Sequence, residues 1–528
     1  MACAFFLFGL GGYDLSAPDE PRYALVAQEM MRDGHWLLPH RNQRAYPDKP
    51  PLFFWSIAAT STILGGEIGP WSARLPSALA ALAIFGLLFQ WERETTGTDT
   101  PVSPLIAMAS YRFLFQAHMA QIDMLLCLTT TIAGIEGYRH LTGATRRTAL
   151  MGLAMGFGIL AKGPVAWLIP VGACLLYRLM HRDARFPVHA MTWSLIPPLI
   201  WLAALGIQVW QQQQWHYFAN LLFDQTLVRY VNPWHHHKPI TYYLTTFLYD
   251  FFPWSLLLYA GIPASKQRWR QLAQHEKFSW LFIAFVFVFF SLSKGKRNLY
   301  LMPCFPFAAV VLPHILKQIG QSRLVRWVAG FTSAIWLLPA GLLLAIVIKN
   351  DLLPPQLSEP PHSLFVFAAV SWVCLVLLSI RWVSRHRWVP FLWSQVASSA
   401  VLVILLYGIV LPWVNPQRSA KAFMTQVNEL VRDDPSPLAM VDFRAAYRFY
   451  GVRHVVELST LATDRSEPKL LGLPDLFEFT QLNPESWVII REPDLQDFES
   501  HCDLPDYDEV LRSYVGDSKQ MILLRFHH

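Results

Sequence analysis

The chain has 528 residues, of which 53% are hydrophobic and only 15% are charged, and its mean hydropathy is +0.29. Soluble globular proteins carry roughly 25% charged residues, so this composition excludes an ordinary soluble protein and indicates a polytopic membrane protein. The net charge of +6 is modest and spread over many loops, which favours contact with anionic lipids over binding to nucleic acid.

The N-terminal segment is apolar but short. Met1 to Gly12 falls below the roughly 20 residues that a membrane span needs, so we expect a truncated or tilted first helix rather than a cleaved signal peptide. The next stretch, Ala17 to Pro51, is densely charged. Because hydrocarbon does not tolerate such charge, this stretch must lie at the water interface or line a polar cavity.

A helix is predicted at the start of the charged stretch. From Glu20 onward, Tyr23, Val26 and Met30 recur at helical spacing, which predicts a short amphipathic helix on the membrane surface. Asp19 stands where it could cap this helix. From composition alone, a plain charged connecting loop is an equally good interpretation.

The remaining apolar segments bring the expected number of transmembrane helices to about thirteen. They lie near 71–90, 102–118, 122–138, 148–161, 164–180, 190–210, 242–262, 278–293, 299–316, 326–348, 363–380 and 389–412. If the chain starts on the cytoplasmic side, Arg and Lys cluster in the inner loops around 139–147, 178–185, 266–277, 317–326 and 381–387, as the positive-inside rule requires. With this topology, residues 13–70, 211–241 and 294–298, and everything after about 416, lie on the outer side of the membrane.

The C-terminal part has the composition of a soluble domain. Residues 420–433 predict an amphipathic helix, and 438–443, 454–458, 486–492 and 520–526 predict short buried strands. We therefore expect a mostly α, polytopic membrane domain over 1–415, followed by a small soluble α/β domain over 416–528.

Charged motifs lie at the predicted outer ends of the spans. The first loop contains DEPRY from Asp19 and YPDKPP from Tyr46. Asp123 begins a span, where a lone Asp is more commonly a helix cap. Lys162 lies in a Lys-Gly-Pro turn, where a lysine more often extends towards water than binds a ligand.

Two further motifs are rich in groups that suit phosphate. The loop after 211 contains WHYF from Trp215, then Arg229, then the run His235–His237, and arginine matches phosphate by its paired donors. The histidine run could bind a metal, although consecutive histidines point in different directions and a surface run is the simpler interpretation. The second motif, KGKRNLYLMPCF from Lys294, would be an ordinary basic turn on the inner side. Its predicted outer placement favours a ligand.

In this order, the motifs resemble those of the glycosyltransferases that use lipid-linked sugars. The resemblance is greatest to the aminoarabinose transferases that modify lipid A, which are relatives of the protein O-mannosyltransferases and have the GT-C fold. Three positions depart from the family pattern. Asp48 replaces the usual Glu, and Arg297 with Asn298 replaces Leu-Pro.

The resemblance implies inverting transfer of a sugar, such as 4-amino-4-deoxy-L-arabinose, from an undecaprenyl phosphate donor to lipid A in the periplasm of a bacterial inner membrane. It implies catalytic roles for Asp19 and Asp123. Residues implied to bind the donor phosphate are Arg22, Lys49, Arg229, Lys294, Lys296 and Tyr300. Residues implied to bind the substrates are Tyr46, Asp48, Lys162, His216 and His237. No cofactor is expected to be required, a divalent metal near Asp48 or His235–His237 stays open, and the chain is expected to act as a monomer.

Two alternatives remain at this point. A related transferase would place another sugar, such as galacturonic acid or mannose, on a glycan, lipid or protein. A lipid or sugar transporter would concentrate its charges in broken helices at mid-bilayer, whereas here they cluster at the outer ends of the spans.

Overall fold

The computed structural model describes residues 1–212, 238–293, 295–349, 359–460, 473–516 and 520–527, together with Leu353 and Leu357. Helices dominate up to Arg418, and a mixed sheet with flanking helices follows. The predicted fold class, a mostly α polytopic membrane protein with a small C-terminal α/β region, is confirmed.

The described residues of the first part of the chain form helices and one small hairpin. Its helices are α1 Ala2–Leu7, α2 Asp19–Asp33, α3 Leu52–Ile63, α4 Pro70–Thr96, α5 Val102–Ala109, α6 Tyr111–Ala117, α7 Asp123–Leu141, α8 Ala149–Lys162, α9 Val165–Met180, α10 Val188–Gln212, α11 Tyr242–Asp250, α12 Ser255–Gln267, α13 Gln274–Leu292, α14 Cys304–Ile319, α15 Arg323–Ala334, α16 Leu337–Ile348, α17 His362–Ser384, α18 Trp388–Leu405 and α19 Leu411–Arg418. The hairpin pairs β1 His40–Arg41 with β2 Arg44–Ala45.

Within the described residues, six helical segments are long and apolar enough to cross a membrane, and four shorter apolar helices accompany them. Several predicted spans are interrupted. The expected span 102–118 breaks at Ser110, whose backbone is extended, and 242–262 breaks just before Ser255, where Pro253 cannot continue the preceding helix. The expected outer loop 13–70 contains α3, which was missed because its 12 residues are too few for a span.

Helix α2 forms where the spacing of its apolar residues predicts it, but it does not lie open on a membrane surface. Its apolar side chains Tyr23, Leu25, Val26 and Met30 are buried, and α3 and the C-terminal domain pack against it. A short amphipathic helix was therefore predicted correctly, and its predicted environment was wrong because the C-terminal domain covers it.

The C-terminal domain contains a five-stranded sheet in the order β4-β3-β5-β7-β6. Its strands are β3 Leu438–Val441, β4 Val456–Leu458, β5 Ser486–Arg491, β6 Tyr507–Tyr514 and β7 Gln520–Phe526. Its helices are α20 Ala420–Val431, α21 Ala445–Tyr450, α22 Leu476–Leu482 and α23 Glu492–His501. Strand β3 is parallel to β4 and β5, whereas β7 is antiparallel to β5 and β6.

The predicted helix and four predicted strands of this domain are confirmed, and β6 was missed. Strand β6 lies at the edge of the sheet and is largely exposed, so it lacks the continuous apolar run of the inner strands.

The C-terminal domain docks on the hairpin and on α2. Asn42 Nδ2 donates to the carbonyl of Val455 at 2.8 Å and to Glu457 at 3.1 Å. At the buried centre of the contact, Glu29 of α2 faces Arg448 of α21 at 4.0 Å. Burial raises the pKa of Glu29 and lowers the pKa of Arg448, as expected where both charges leave water. The domain thus supports the helix that carries Asp19.

Candidate active site

Asp19 lies at the first position of α2, and its carboxylate is held from three directions. Arg22 of the same helix donates to Oδ1, while Gln121 Nε2 donates to Oδ2 at 2.9 Å. Arg297 Nη2 approaches Oδ2 at 3.4 Å. The helix cap is Pro18, and it makes no side-chain capping bond. Asp19 is therefore not the N-cap, and its carboxylate is directed at residues from three separate parts of the chain.

The neighbouring Glu20 is fixed inside the protein. Both its side chain and that of Arg74 on α4 are fully buried, and they form two hydrogen bonds of 2.8 Å in a bidentate pair. The Glu20 carboxylate also accepts from the backbone of Ser16 at 2.8 Å and of Ala120 at 2.7 Å. Glu20 is thus structural: it ties the first turn of α2 to the loop that carries Gln121.

Asp123 pairs with Lys162. Asp123 begins α7, makes no capping bond, and accepts from the ammonium of Lys162 at the end of α8. The Lys162 Nζ atom also lies 4.8 Å above the centre of the Tyr300 ring, in cation–π geometry. The cap interpretation of Asp123 is therefore wrong. The lysine does not extend freely into water, because its side chain is only 15% exposed.

Arg297 joins the two carboxylate centres. Its side chain is 40% exposed and reaches Asp19. Partial burial disfavours the charged form of its guanidinium. The carboxylate of Asp19 and, to a smaller extent, that of Asp123 nevertheless raise the pKa of Arg297 above its usual value. The resemblance described above implies an apolar residue at this position, so it assigns no role to this guanidinium.

Lys296 is directed away from that centre. Its ammonium donates to the carbonyls of Ser293 and, at 3.1 Å, of Lys238. Its removal from water lowers the pKa of Lys296. The structure thus gives Lys296 backbone partners in its own turn. Its predicted contact with a phosphate stays a prediction.

The second motif of the first loop lies beside Arg22. Burial disfavours the charged form of the Arg22 guanidinium. Its pKa is nevertheless raised by four neighbouring side chains, those of Tyr46, Tyr23, Asp19 and Asp48. Tyr46 is buried against Phe54, and Asp48 and Lys49 are half-buried. The Arg22 Nε atom has no hydrogen-bond partner within the described residues.

Some predicted residues lie outside the described residues: His216, Arg229, the run His235–His237, and Lys294. Within the part of the chain that the structure describes, no three His, Cys, Asp or Glu side chains come together as a group that could hold a metal. The predicted roles of these residues, and the question of a metal, stay predictions.

Comparisons with known proteins bear on this arrangement. Residues 48–210 match the family profile described as dolichyl-phosphate-mannose-protein mannosyltransferase. The chain is 29% identical over 426 residues to an undecaprenyl phosphate-alpha-4-amino-4-deoxy-L-arabinose arabinosyl transferase of Pseudomonas fluorescens, covering 77% of this chain and 74% of that protein. A protein of the same name from Shewanella sediminis is 27% identical, and the match covers 96% of both chains.

The fold matches as well. The crystal structure of ArnT from Cupriavidus metallidurans bound to undecaprenyl phosphate has a TM-score of 0.76 and 19% identity, covering 99% of this chain and 96% of that one. The chain has the fold of this membrane glycosyltransferase and is similar in sequence to the aminoarabinose transferases. The apo structure of the same Cupriavidus protein gives a TM-score of 0.74 at 18% identity, so the agreement in fold holds for both states.

In this glycosyltransferase, sequence reasoning missed several residues that hold the site. Gln121 and Arg74 carry no motif signal, although Arg74 is a charge inside an apolar span, and such charges are normally paired or functional. Arg297 was noted only as a departure from the family pattern. The available signal in the sequence was that Arg297 directly follows Lys296, which is predicted to bind phosphate.

Proposed function

We propose that this enzyme transfers a 4-amino-4-deoxy-L-arabinose-like sugar from undecaprenyl phosphate to lipid A, with inversion at the anomeric carbon. The observation that carries the proposal is the Asp19 carboxylate, held by Arg22, Gln121 and Arg297 beside the Asp123–Lys162 pair. The names of the relatives, undecaprenyl phosphate-aminoarabinose arabinosyl transferases, supply the donor and the sugar.

The chemistry suits these residues. The leaving group is a phosphate that already carries charge, so cationic side chains stabilise it as the glycosidic bond breaks, and protonation of the leaving oxygen is less necessary. Arg297 and Arg22 are such cations next to Asp19. In the proposal, the Asp19 carboxylate orients the acceptor oxygen and accepts its proton. A single direct attack inverts the anomeric centre.

Substitutions of Arg297 and Lys49 by Ala test whether these side chains bind the donor phosphate. Each charged contact to a phosphate is worth roughly 1.5–3 kcal/mol, so we expect Arg297→Ala and Lys49→Ala to raise the donor concentration needed for half-maximal transfer about ten- to a hundredfold. Arg229→Ala is expected to act in the same way. Lys296→Ala also removes two bonds to backbone carbonyls, so it should lower thermal stability as well.

Steady-state kinetics at varied donor, with thermal denaturation of each purified variant, separates these effects. Lys317→Ala, at an exposed position in the last turn of α14 on the predicted inner side, is the matched control and should change neither quantity. Normal donor dependence of both Arg297→Ala and Lys49→Ala would place the phosphate elsewhere.

We further propose that the enzyme resides in the bacterial inner membrane with Asp19 and the C-terminal domain in the periplasm. Basic clusters in alternate loops support this orientation. A reporter that is active only in the cytoplasm, fused after His528, should therefore be silent, and a periplasmic reporter at the same point should be active. A strong cytoplasmic signal would contradict the orientation.

Mass spectrometry of lipid A from cells with and without the gene tests the acceptor and the sugar. We expect lipid A species heavier by one aminoarabinose residue that disappear when the gene is deleted and return when it is restored. Unchanged lipid A, with a sugar missing from another glycan, would favour the alternative acceptor.

A further inference from the structure

Two cavities lie side by side at the end of the membrane domain opposite to Asp19. Helix α9 starts next to Lys162, which contacts Asp123, and ends at Met180. Its 16 residues span about 24 Å, so Met180 is roughly one membrane leaflet or more away from the site. Met180 lines both cavities, which makes them neighbours. They play no part in the chemistry proposed above.

The first cavity has a volume of about 450 Å³ and is apolar. Ile262 of α12 and Trp280, Leu281 and Ala284 of α13 form its walls together with Met180. Ile262, Ala284 and Met180 are exposed on the surface of the helices, where lipid surrounds a membrane protein. The shape and lining of this cavity suit a hydrocarbon chain.

Polar groups border this apolar space. Ser265 and Lys266, close to the end of α12, line this cavity. Trp269, three residues after Lys266, also lines it. Ser265 Oγ and Trp280 Nε1 are buried and have no hydrogen-bond partner within the described residues. A buried polar atom without a partner is costly, so an acceptor oxygen of a bound molecule would be stabilised at these two donors.

The second cavity, of about 570 Å³, is lined by apolar residues such as Leu141 and Leu179 on one side and by polar and charged residues on the other. Arg182 and Asp183 are exposed at its edge, next to His181, whose ring stacks on Tyr177 at 4.3 Å. A cationic and an anionic side chain thus lie side by side, and Lys266 adds a second cation at the neighbouring cavity. This arrangement is complementary to a group that carries both a phosphate and an ammonium.

We propose that the paired cavities bind a membrane glycerophospholipid with a phosphoethanolamine headgroup. One acyl chain occupies the apolar cavity, and its ester oxygens accept from Ser265 and Trp280. The phosphate lies between Arg182 and Lys266, and the primary ammonium faces Asp183. A purely anionic headgroup satisfies the two cations but leaves Asp183 facing negative charge. A choline headgroup carries the positive charge but offers no N–H to the carboxylate.

Native mass spectrometry of the full chain, released from detergent with equal amounts of phosphatidylethanolamine, phosphatidylglycerol and phosphatidylcholine, tests the proposal. The unaltered protein should retain phosphatidylethanolamine over the other two lipids. Arg182→Ala should reduce that retention about tenfold, as for loss of one charged contact. Arg185→Ala, which removes an exposed arginine of the same loop that lines neither cavity, is the matched control and should leave retention unchanged.

Two further variants separate the headgroup from the chain. Ala284→Phe fills the apolar cavity from an exposed position and should abolish retention, whereas Ala203→Phe, at an exposed position of α10, should not. Asp183→Asn is a surface change that does not threaten the fold, and it should erase the preference for phosphatidylethanolamine over phosphatidylglycerol. Equal retention of all three lipids by the unaltered protein, or equal retention by Ala284→Phe and Ala203→Phe, would overturn the proposal.

Discussion

Replacing Asp19 by Asn is expected to lower the rate of sugar transfer by about 10²-fold or more, because a general base is lost. The size of the side chain and the bonds from Gln121 and Arg297 are kept, and only the bond from Arg22 to Oδ1 is given up. The structure indicates that this substitution leaves the start of α2 intact. Pro18, not Asp19, is the helix cap, and an amide oxygen can still accept from Gln121 and Arg297. The helix should therefore persist, and the loss should appear in the turnover rate rather than in thermal stability.

Asp33→Asn is the matched control for this result. Asp33 ends the same helix and pairs with Arg32 at the surface, so its substitution should leave transfer near normal. Full activity of Asp19→Asn together with loss of activity in Asp123→Asn would show that the base lies on α7.

Replacing Glu20 by Ala is expected to have the largest effect on stability. Removing one partner of a buried ion pair leaves the other charge without compensation, at a cost of roughly 3–5 kcal/mol. Arg74 would keep its bonds to the carbonyls of Leu10, Tyr13 and Asp14 but lose its only carboxylate partner within the described residues. The denaturation midpoint of the purified protein should fall sharply.

Glu67→Ala is the control for that measurement, since Glu67 is an exposed carboxylate in the loop before α4. Its midpoint should match that of the unaltered protein. If Glu20→Ala melted at the same temperature as Glu67→Ala, the Glu20–Arg74 pair would contribute little and α2 would be held by other contacts.

Most of the fold follows from patterns along the sequence. Long apolar segments predict α4, α13 and α17, and alternating or continuous apolar runs predict the inner strands of the C-terminal sheet. The errors have physical causes. Helix α3 is too short to be detected as a span, and the burial of α2 depends on a domain some 400 residues further along the chain.

The candidate site was predictable in its motif residues and not in its connections. Asp19, Asp123 and Lys162 were each selected from their local sequence, yet only the three-dimensional structure pairs Lys162 with Asp123. Gln121 and Arg297 could not be assigned from sequence, because a hydrogen bond across about 100 or about 280 positions leaves no periodic signal. Lys296 illustrates the opposite case: its motif suggests a ligand contact, and the structure gives it backbone partners.

The central claim is inverting transfer from an undecaprenyl phosphate-linked aminoarabinose to lipid A at Asp19. The most direct measurement is transfer by the purified full chain with that donor and lipid A, followed by mass spectrometry and by NMR of the anomeric centre in the product. We expect lipid A that carries one added aminoarabinose of inverted configuration, and about 10²-fold less of it with Asp19→Asn. Product of retained configuration, or no transfer from this donor by an enzyme that is active with another lipid-linked sugar, would contradict it.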